Sequence, residues 1–252
     1  MLIAAAREVS KYSRLFVGFH WPILVAELAR RLYNDGIALA FEGGVIVEGP
    51  FRRLPTSTTE YNCFHGCSTF HGDSLDLLYG LLRRGGVEAA LLAAGNVDQF
   101  GNVNSTLVRD GRSVMVRLAG GGGAAEVAAF AKRVYLVVGA TEPKRYVSRV
   151  DFVTASCGRR NGEWVSEKGV TGRKRLVAMF CPFGVFGFEN EEGRAELETV
   201  YPGVGYEEFV ERVGWPVRPG GPRLLEEMTE AERAAVREVL QAARERGYVI
   251  AE

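Results

Sequence analysis

Apolar positions along the chain alternate between helical and strand-like spacing. Residues 1–11 are compatible with a helix, and RLFVGF (14–19) is a short apolar run ending at Gly18 that reads as a buried strand. In PILVAELARRLYN, Ile23, Leu24, Leu28 and Leu32 recur at helical spacing and Pro22 suits a first turn, so a helix follows the strand directly. Asn34-Asp35-Gly36 ends it, and GIALAF (36–41) restarts as strand and runs into Glu42.

Residues 50–72 are rich in Pro, Thr, Ser, Asn, Gly and Cys without a clear period, which predicts a long surface loop. DSLDLLYGLLRRG then predicts a helix opened by Asp73 or Ser74, and VEAALLAAG the next strand. NVDQFGNVNSTLV is turn-rich and leads through SVMVRLA (113–119) into Gly120, Gly121, Gly122 and Gly123. After them AAEVAAFAK reads as a helix and RVYLVVGA as a buried strand. This alternation predicts an α/β fold with an open, mainly parallel sheet and helices on both faces.

From about residue 150 the pattern loosens. RVDFVTAS and RLVAMFCPFGVFGFE read as strands, the second broken by Pro182, Gly184 and Gly187, with GRRNGEWVSEKGVTGRK between them as a hairpin candidate. TEAERAAVREVLQAARERG carries a capping box, Thr229 with Glu232, apolar positions at Ala235, Val236, Val239, Leu240 and Ala243, and a Gly247 stop. With no low-complexity linker and no repeat, the expectation is a single domain over 1–252 with a β-rich C-terminal extension.

The 252 residues are 47% hydrophobic, enough for a sizeable core, and their 31 basic and 31 acidic side chains cancel. That balance leaves no electrostatic footprint for nucleic acid or an anionic membrane. Arg7 and Glu8 arrive too early for a signal segment and no apolar run approaches bilayer length, so a cytoplasmic location is expected. Four cysteines are too few for a disulfide scaffold. Cys63, His65, Cys67 and His71 offer four potential ligands, but their spacing matches no usual zinc site, and a loop-to-helix entry without metal is the reading taken.

Two stretches carry candidate chemistry. In FEGGVIVEGP, Glu42 precedes Gly43 and Gly44. A strand-end carboxylate is commonly solvated or caps a helix, but paired glycines let another backbone or a ligand approach it. Such a carboxylate can act as a nucleophile if water is kept out and an oxyanion hole faces it. Gly120–Gly123 before a helix is either an anion cradle or a tight β-to-α turn; it lacks both the P-loop Lys-Ser/Thr and the G-x-G-x-x-G spacing. His20, His65 and His71 lie in no G-x-S-x-G or HExxH setting and read as loop or packing residues, which leaves Ser-His-Asp hydrolysis unsupported.

Taken together these stretches resemble the β subunit of the family I coenzyme A transferases. FEGGVIVEGP is similar to that family's SENG-x-x-G-x-GP segment, with Glu42 at the nucleophile position. AAGNVDQFGNVNSTLV (93–108) resembles GA-x-QVD-x-x-GN-x-NST, and GGGGAAEVA (120–128) resembles G-x-GGAMD-x-V. VYPGVGYEEFVERVGWPV (200–217) is similar to the C-terminal HPG element with its short helix. All four fall in family order. Gly43 replaces the usual Asn or Ser, Phe41 the usual Ser, and Glu126 the Asp of GGAMD.

The resemblance implies ping-pong CoA transfer between an acyl-CoA and a free carboxylic acid through a glutamyl-CoA thioester on Glu42. It further implies an oxyanion donor at the Gly123 amide, and a pocket shaped by Gly120, Gly121, Gly122, Asn96, Gly43 and Gly44. Coenzyme A would be a substrate with no permanently bound cofactor, and the partner an α subunit in an αβ or α2β2 assembly. The alternatives are a CoA-thioester or ring-opening hydrolase of the same fold and a non-catalytic partner chain. Retention of Glu42 favours transfer over hydrolysis, because the related hydrolases do not keep that residue.

Overall fold

The computed structural model describes residues 1–157, 159–160, 163–164, 176–217 and 219–250. They form two compact units, Leu2–Ala93 with Glu226–Glu252, and Ala94–Leu225 with Met1.

The first unit contains, in chain order, α1 (Leu2–Val9), β1 (Arg14–Val17), α2 (Trp21–Leu32), β2 (Ala38–Phe41), β3 (Val45–Val47), α3 (Tyr61–Phe64), β4 (Ser68–His71) and β5 (Ala89–Ala93). Its strands run in the order β5-β1-β2-β3-β4. Strand β1 pairs in parallel with β2 and β5, and all three are almost wholly buried, as near-continuous apolar runs covered on both faces require. The chain turns back between β2 and β3 through Glu42, Gly43 and Gly44 alone, too short for a crossover, so β3 is antiparallel, and β4 follows as an antiparallel edge.

Helices α1 and α2 pack with the C-terminal helix Glu230–Glu245. The capping box forms as the sequence predicts: Glu232 N donates to Thr229 Oγ1 (3.2 Å) and Thr229 N to Glu232 Oε2 (2.7 Å). Gly247, with φ of 81°, ends the helix. Of the predicted apolar positions Val239 and Ala243 are buried, and so is Glu232. Its carboxylate also accepts from Arg7 Nε and Nη2 (2.8 Å each) and from the Tyr33 hydroxyl, fastening all three helices.

The helix after residue 72 opens at Asp73, whose Oδ1 accepts from Leu75 N (2.8 Å) and Asp76 N (2.9 Å). Over Asp76–Leu82 it widens into a π-helical turn, with Arg83 N bonded to Leu78 O (3.0 Å). Residues 50–72 correct the surface-loop expectation. They include α3 and β4, and bury Leu54, Cys63, Phe64 and Cys67, with Phe64 stacked on Phe41 at 4.7 Å. Anchors at aperiodic positions give no periodic signal. The segment is tied down by the far end of the chain, through Arg246 Nε to Leu54 O (3.0 Å) and the Tyr248 hydroxyl to Pro55 O.

The second unit opens with β6 (Asn96–Asp98), β7 (Asn102–Asn104), β8 (Leu107–Asp110), β9 (Ser113–Arg117) and α4 (Ala124–Phe130), followed by β10 (Val134–Val137), β11 (Tyr146–Val147) and β12 (Ala155–Ser156). Then come β13 (Arg159–Arg160), β14 (Glu163–Trp164), β15 (Leu176–Cys181), β16 (Gly184–Gly187), β17 (Glu196–Val200), α5 (Tyr206–Arg212) and β18 (Pro219–Leu224). One run of strands is ordered β18-β17-β16-β15-β10, parallel at its two outer pairs and antiparallel between. A small sheet is ordered β11-β6-β7-β12, and β8-β9 and β13-β14 form two-stranded ribbons.

The α/β class is therefore as predicted: β1 pairs in parallel with β2 and β5, β10 with β15 and β17 with β18, while the hairpins at β3, β4 and β16 add antiparallel pairs. Two local expectations change. The turn-rich NVDQFGNVNSTLV forms β6, β7 and β8 around tight turns. RVDFVTAS is a strand only at Ala155–Ser156, because its upstream backbone bonds singly to other elements, Val150 N to Asp98 Oδ2 (3.5 Å) and Thr154 N to Val103 O (2.8 Å). The hairpin candidate appears as β13-β14, and residues 158, 161–162 and 165–175 lie outside the described residues. Among the described residues no helix is long and apolar enough to cross a membrane.

Candidate functional site

Register places Glu42. Val17 of β1 pairs with Phe41 of β2 and with Leu91 of β5, so β1 and β2 end together and β5 runs two residues further, to Ala93. Glu42 leaves the carboxyl end of β2 there, and Gly18-Phe19-His20 leaves the carboxyl end of β1 beside it. Open α/β sheets bind ligands outside this edge.

The Glu42 turn is built from backbone. Gly44 N bonds to Phe41 O (2.9 Å) and Gly44 has φ of 93°, a conformation that favours glycine. A Cβ at Gly44 would lie 2.5 Å from Gly72 O, and one at Gly43 would lie 2.8 Å from Thr58 O. The sequence left open whether these glycines admit a ligand or another backbone; in the structure the chain's own 58–72 segment fills both positions. Gly43 N donates to Thr58 O (3.3 Å), and the Tyr61 hydroxyl donates to Gly43 O. The half-buried Glu42 thus sits on a turn clamped from the segment read as a free loop.

His20 is the only non-glycine residue with positive φ among the described residues, at φ 67° and ψ −116°. A side chain in so sparsely populated a region costs about 1–3 kcal/mol. Its ring lies 4.9 Å from Tyr248 and 5.1 Å from Trp21, and such aromatic pairs return about 0.5–1.5 kcal/mol each. Burial lowers the imidazole pKa.

Cys63 and Cys67 point inward, with the Cys67 thiol donating to Phe64 O (3.2 Å), whereas His65 and His71 are exposed. Burial is the main cause that raises the Cys63 thiol to about 11. All four cysteines are free, and among the described residues no group of three or more His, Cys, Asp or Glu could hold a metal.

In the second unit the structure joins the two other motifs. Asp98, 1% exposed, folds the β6-β7 hairpin by accepting from Phe100 N (3.0 Å), Asn102 N (3.1 Å) and Asn102 Nδ2. Burial raises its pKa against the opposing effect of these bonds. Asn104 Oδ1 accepts from Thr106 N (3.0 Å) and Leu107 N (3.2 Å), turning the chain after β7. Asn96 is buried; its Nδ2 donates to Lys144 O (2.5 Å), while its Oδ1 has no partner among the described residues.

The glycine run reaches this hairpin through Gly120 N, which donates to Ser105 O (2.7 Å), so one amide of the suspected cradle is already committed. Gly121 packs on Thr154, whose methyl would lie 2.5 Å from an added Cβ. Gly122 is exposed, and Gly123 is buried at the head of α4, its carbonyl accepting from Val127 N (2.9 Å). Thr154 is the residue that sequence reading missed. Its Oγ1 accepts from Ser105 N (2.9 Å) and pairs with Thr106 Oγ1 (2.7 Å), bracing the NST segment against the glycine turn. It lies inside RVDFVTAS, and no local pattern marks it. The fourth motif forms as predicted, with Pro202-Gly203 leading into α5, whose Phe209 is fully buried.

Residues 1–212 match the coenzyme A transferase family. The chain is 30% identical over 218 residues to the B subunit of the 3-oxoadipate CoA-transferase of Pseudomonas knackmussii, covering 86% of this chain and 82% of that one. It is 22% identical over 224 residues to the B subunit of the glutaconate CoA-transferase of Acidaminococcus fermentans, covering 84% and 80%. The crystal structure of glutaconate coenzyme A-transferase from that organism superimposes with a TM-score of 0.82 at 20% identity, covering all of this chain and 96% of its own. The chain belongs to the coenzyme A transferase family, as a relative of its B subunits.

Proposed function

We propose that this chain moves CoA between an acyl-CoA thioester and a free carboxylic acid, with Glu42 as the covalent carrier. The observation that carries the reading is the place of Glu42, on a clamped turn at the carboxyl edge of three buried parallel strands in a chain that matches the family over 1–212. A Glu42 oxygen attacks the thioester carbonyl and expels CoA thiolate, leaving an acyl-glutamyl anhydride. The thiolate attacks the glutamyl carbonyl, releasing the first carboxylate and leaving a glutamyl-CoA thioester. An incoming carboxylate attacks that carbonyl and expels the thiolate again; attack of the thiolate on the new acyl carbonyl yields the product acyl-CoA and restores Glu42.

Every step exchanges one carboxylate or thiolate for another, so neither metal nor redox cofactor is required. The family resemblance is what would give the tetrahedral oxygen to the Gly123 amide and a pocket-lining role to Gly120–Gly122, Asn96, Gly43 and Gly44. An α subunit supplies the rest of the acid site.

The test uses the protein together with its α subunit. Borohydride or hydroxylamine should attack the glutamyl-CoA thioester of the wild type, releasing CoA and leaving an alcohol or a hydroxamate on residue 42, and both that product and exchange should fall to background in Glu42→Gln. Exchange that survives in Glu42→Ala refutes the carrier role.

A further inference from the structure

We infer that His20 contacts the substrate and sets its specificity, donating a ring N–H to an oxygen that the carboxylic acid carries beyond its reacting carboxyl. The inference rests on the CoA-transfer reading and names its substrate class: dicarboxylic or oxo acids over plain alkanoic acids of the same length.

Three observations lead to it. Gly18-Phe19-His20 leaves β1 at the same carboxyl edge as Glu42, on the strand paired with β2. His20 occupies a backbone conformation in which glycine is unstrained, and it is the only non-glycine residue of positive φ among the described residues. A side chain kept there at a cost has to return something. Ring contacts, edge-on with Trp21 and tilted with Tyr248, account for an aromatic ring at this position, but Phe or Tyr would make them as well. What these contacts leave unexplained is the imidazole itself: no group of the described residues hydrogen-bonds its nitrogens. Lowered in pKa by burial, it is neutral near pH 7 and holds one N–H donor for an acceptor from outside the chain. Phe19, 52% exposed at the same edge, offers apolar surface to the methylene part of such an acid.

The contact follows the chain around the Glu42 turn. His20 lies on Tyr248, the Tyr248 hydroxyl donates to Pro55 O, and the segment after Pro55 bonds Gly43 through Thr58 O. The ring and the turn of the proposed carrier are thus tied to one segment, residues 55–61, at two points.

The experiment compares glutarate with pentanoate as CoA acceptors, using this chain together with its α subunit. The wild type should prefer glutarate in kcat/KM. His20→Phe, which keeps the ring but not the donor, should reduce that preference by about tenfold, the loss of one hydrogen bond to a charged group. His20→Asn, which keeps an N–H donor, should retain part of the preference. His20→Gly, which removes the ring and its strain together, should lose it as well; a merely structural histidine would move stability and leave the ratio alone. An unchanged ratio in both His20→Phe and His20→Gly overturns the inference while CoA transfer stands. Absence of exchange by the wild type with any acid sinks both.

Discussion

Arg7 and Glu232 provide a quantitative test of how the first unit is held together. Glu232 is 4% exposed and accepts from Arg7, Tyr33 and Thr229. The Arg7 hydrogen bond is the largest cause that lowers its pKa from 4.5 to about 2. A carboxylate with a depressed folded pKa adds stability that is full above its unfolded value and is lost as pH falls through the folded one, because the unfolded chain then binds the extra proton. The interval from 4.5 to about 2, at about 1.4 kcal/mol per pH unit, corresponds to roughly 3 kcal/mol. Arg7→Met should therefore cost about 2–3 kcal/mol at pH 7 and flatten the acid limb of the stability profile between pH ~5 and pH ~2. The assay is urea unfolding of wild type and variant at a series of pH values. Glu60, whose burial is outweighed by bonds from Thr56 and Arg246 so that it too is lowered to about 2, titrates in the same window. It is untouched by the substitution and cancels in the difference. Parallel acid limbs in the two proteins would refute the assignment.

The other predictions address Thr154 and Gly44. Thr154→Val keeps the methyl under Gly121 but strands the Ser105 amide at about 1–3 kcal/mol, so kcat for CoA transfer should fall severalfold at little-changed KM, with Thr154→Ser, which keeps the hydroxyl, restoring it; equal kcat in wild type and Thr154→Val removes Thr154 from the positioning role. Gly44→Ala forces a side chain into φ of 93° against Gly72 O and should lower stability by about 2 kcal/mol or more, read as a drop in melting temperature; an unchanged midpoint would contradict the close approach.

Much of the fold was legible because its signals are local. β1 and β5 read as continuous apolar runs, α2 as a 3.6-residue period behind Pro22, and the C-terminal helix as a capping box with a glycine stop; each is encoded by residues a few positions apart. The short strands around Asp98 and Asn104 were not, because side chains to backbone rather than an apolar period create them. The candidate carrier was visible as Glu42 ahead of two glycines, but the sequence could not say what those glycines accommodate.

The sequence by itself therefore determined the α/β class, the presence of α1, α2, α4, α5 and the C-terminal helix, the candidacy of Glu42 and the order of the motifs. Only the tertiary structure decided that Thr58, Tyr61 and Gly72 clamp the Glu42 turn, and that Thr154 joins the NST segment to the glycine run. It alone also decided that His20 is held in a conformation suited to glycine, in ring contact with Tyr248 from the far end of the chain. The physical reason is separation along the chain. Periodicity and capping depend on neighbours one or two turns away, whereas a clamp, a brace or a stored strain depends on partners that only folding brings into contact, and single-chain spacing carries no trace of them.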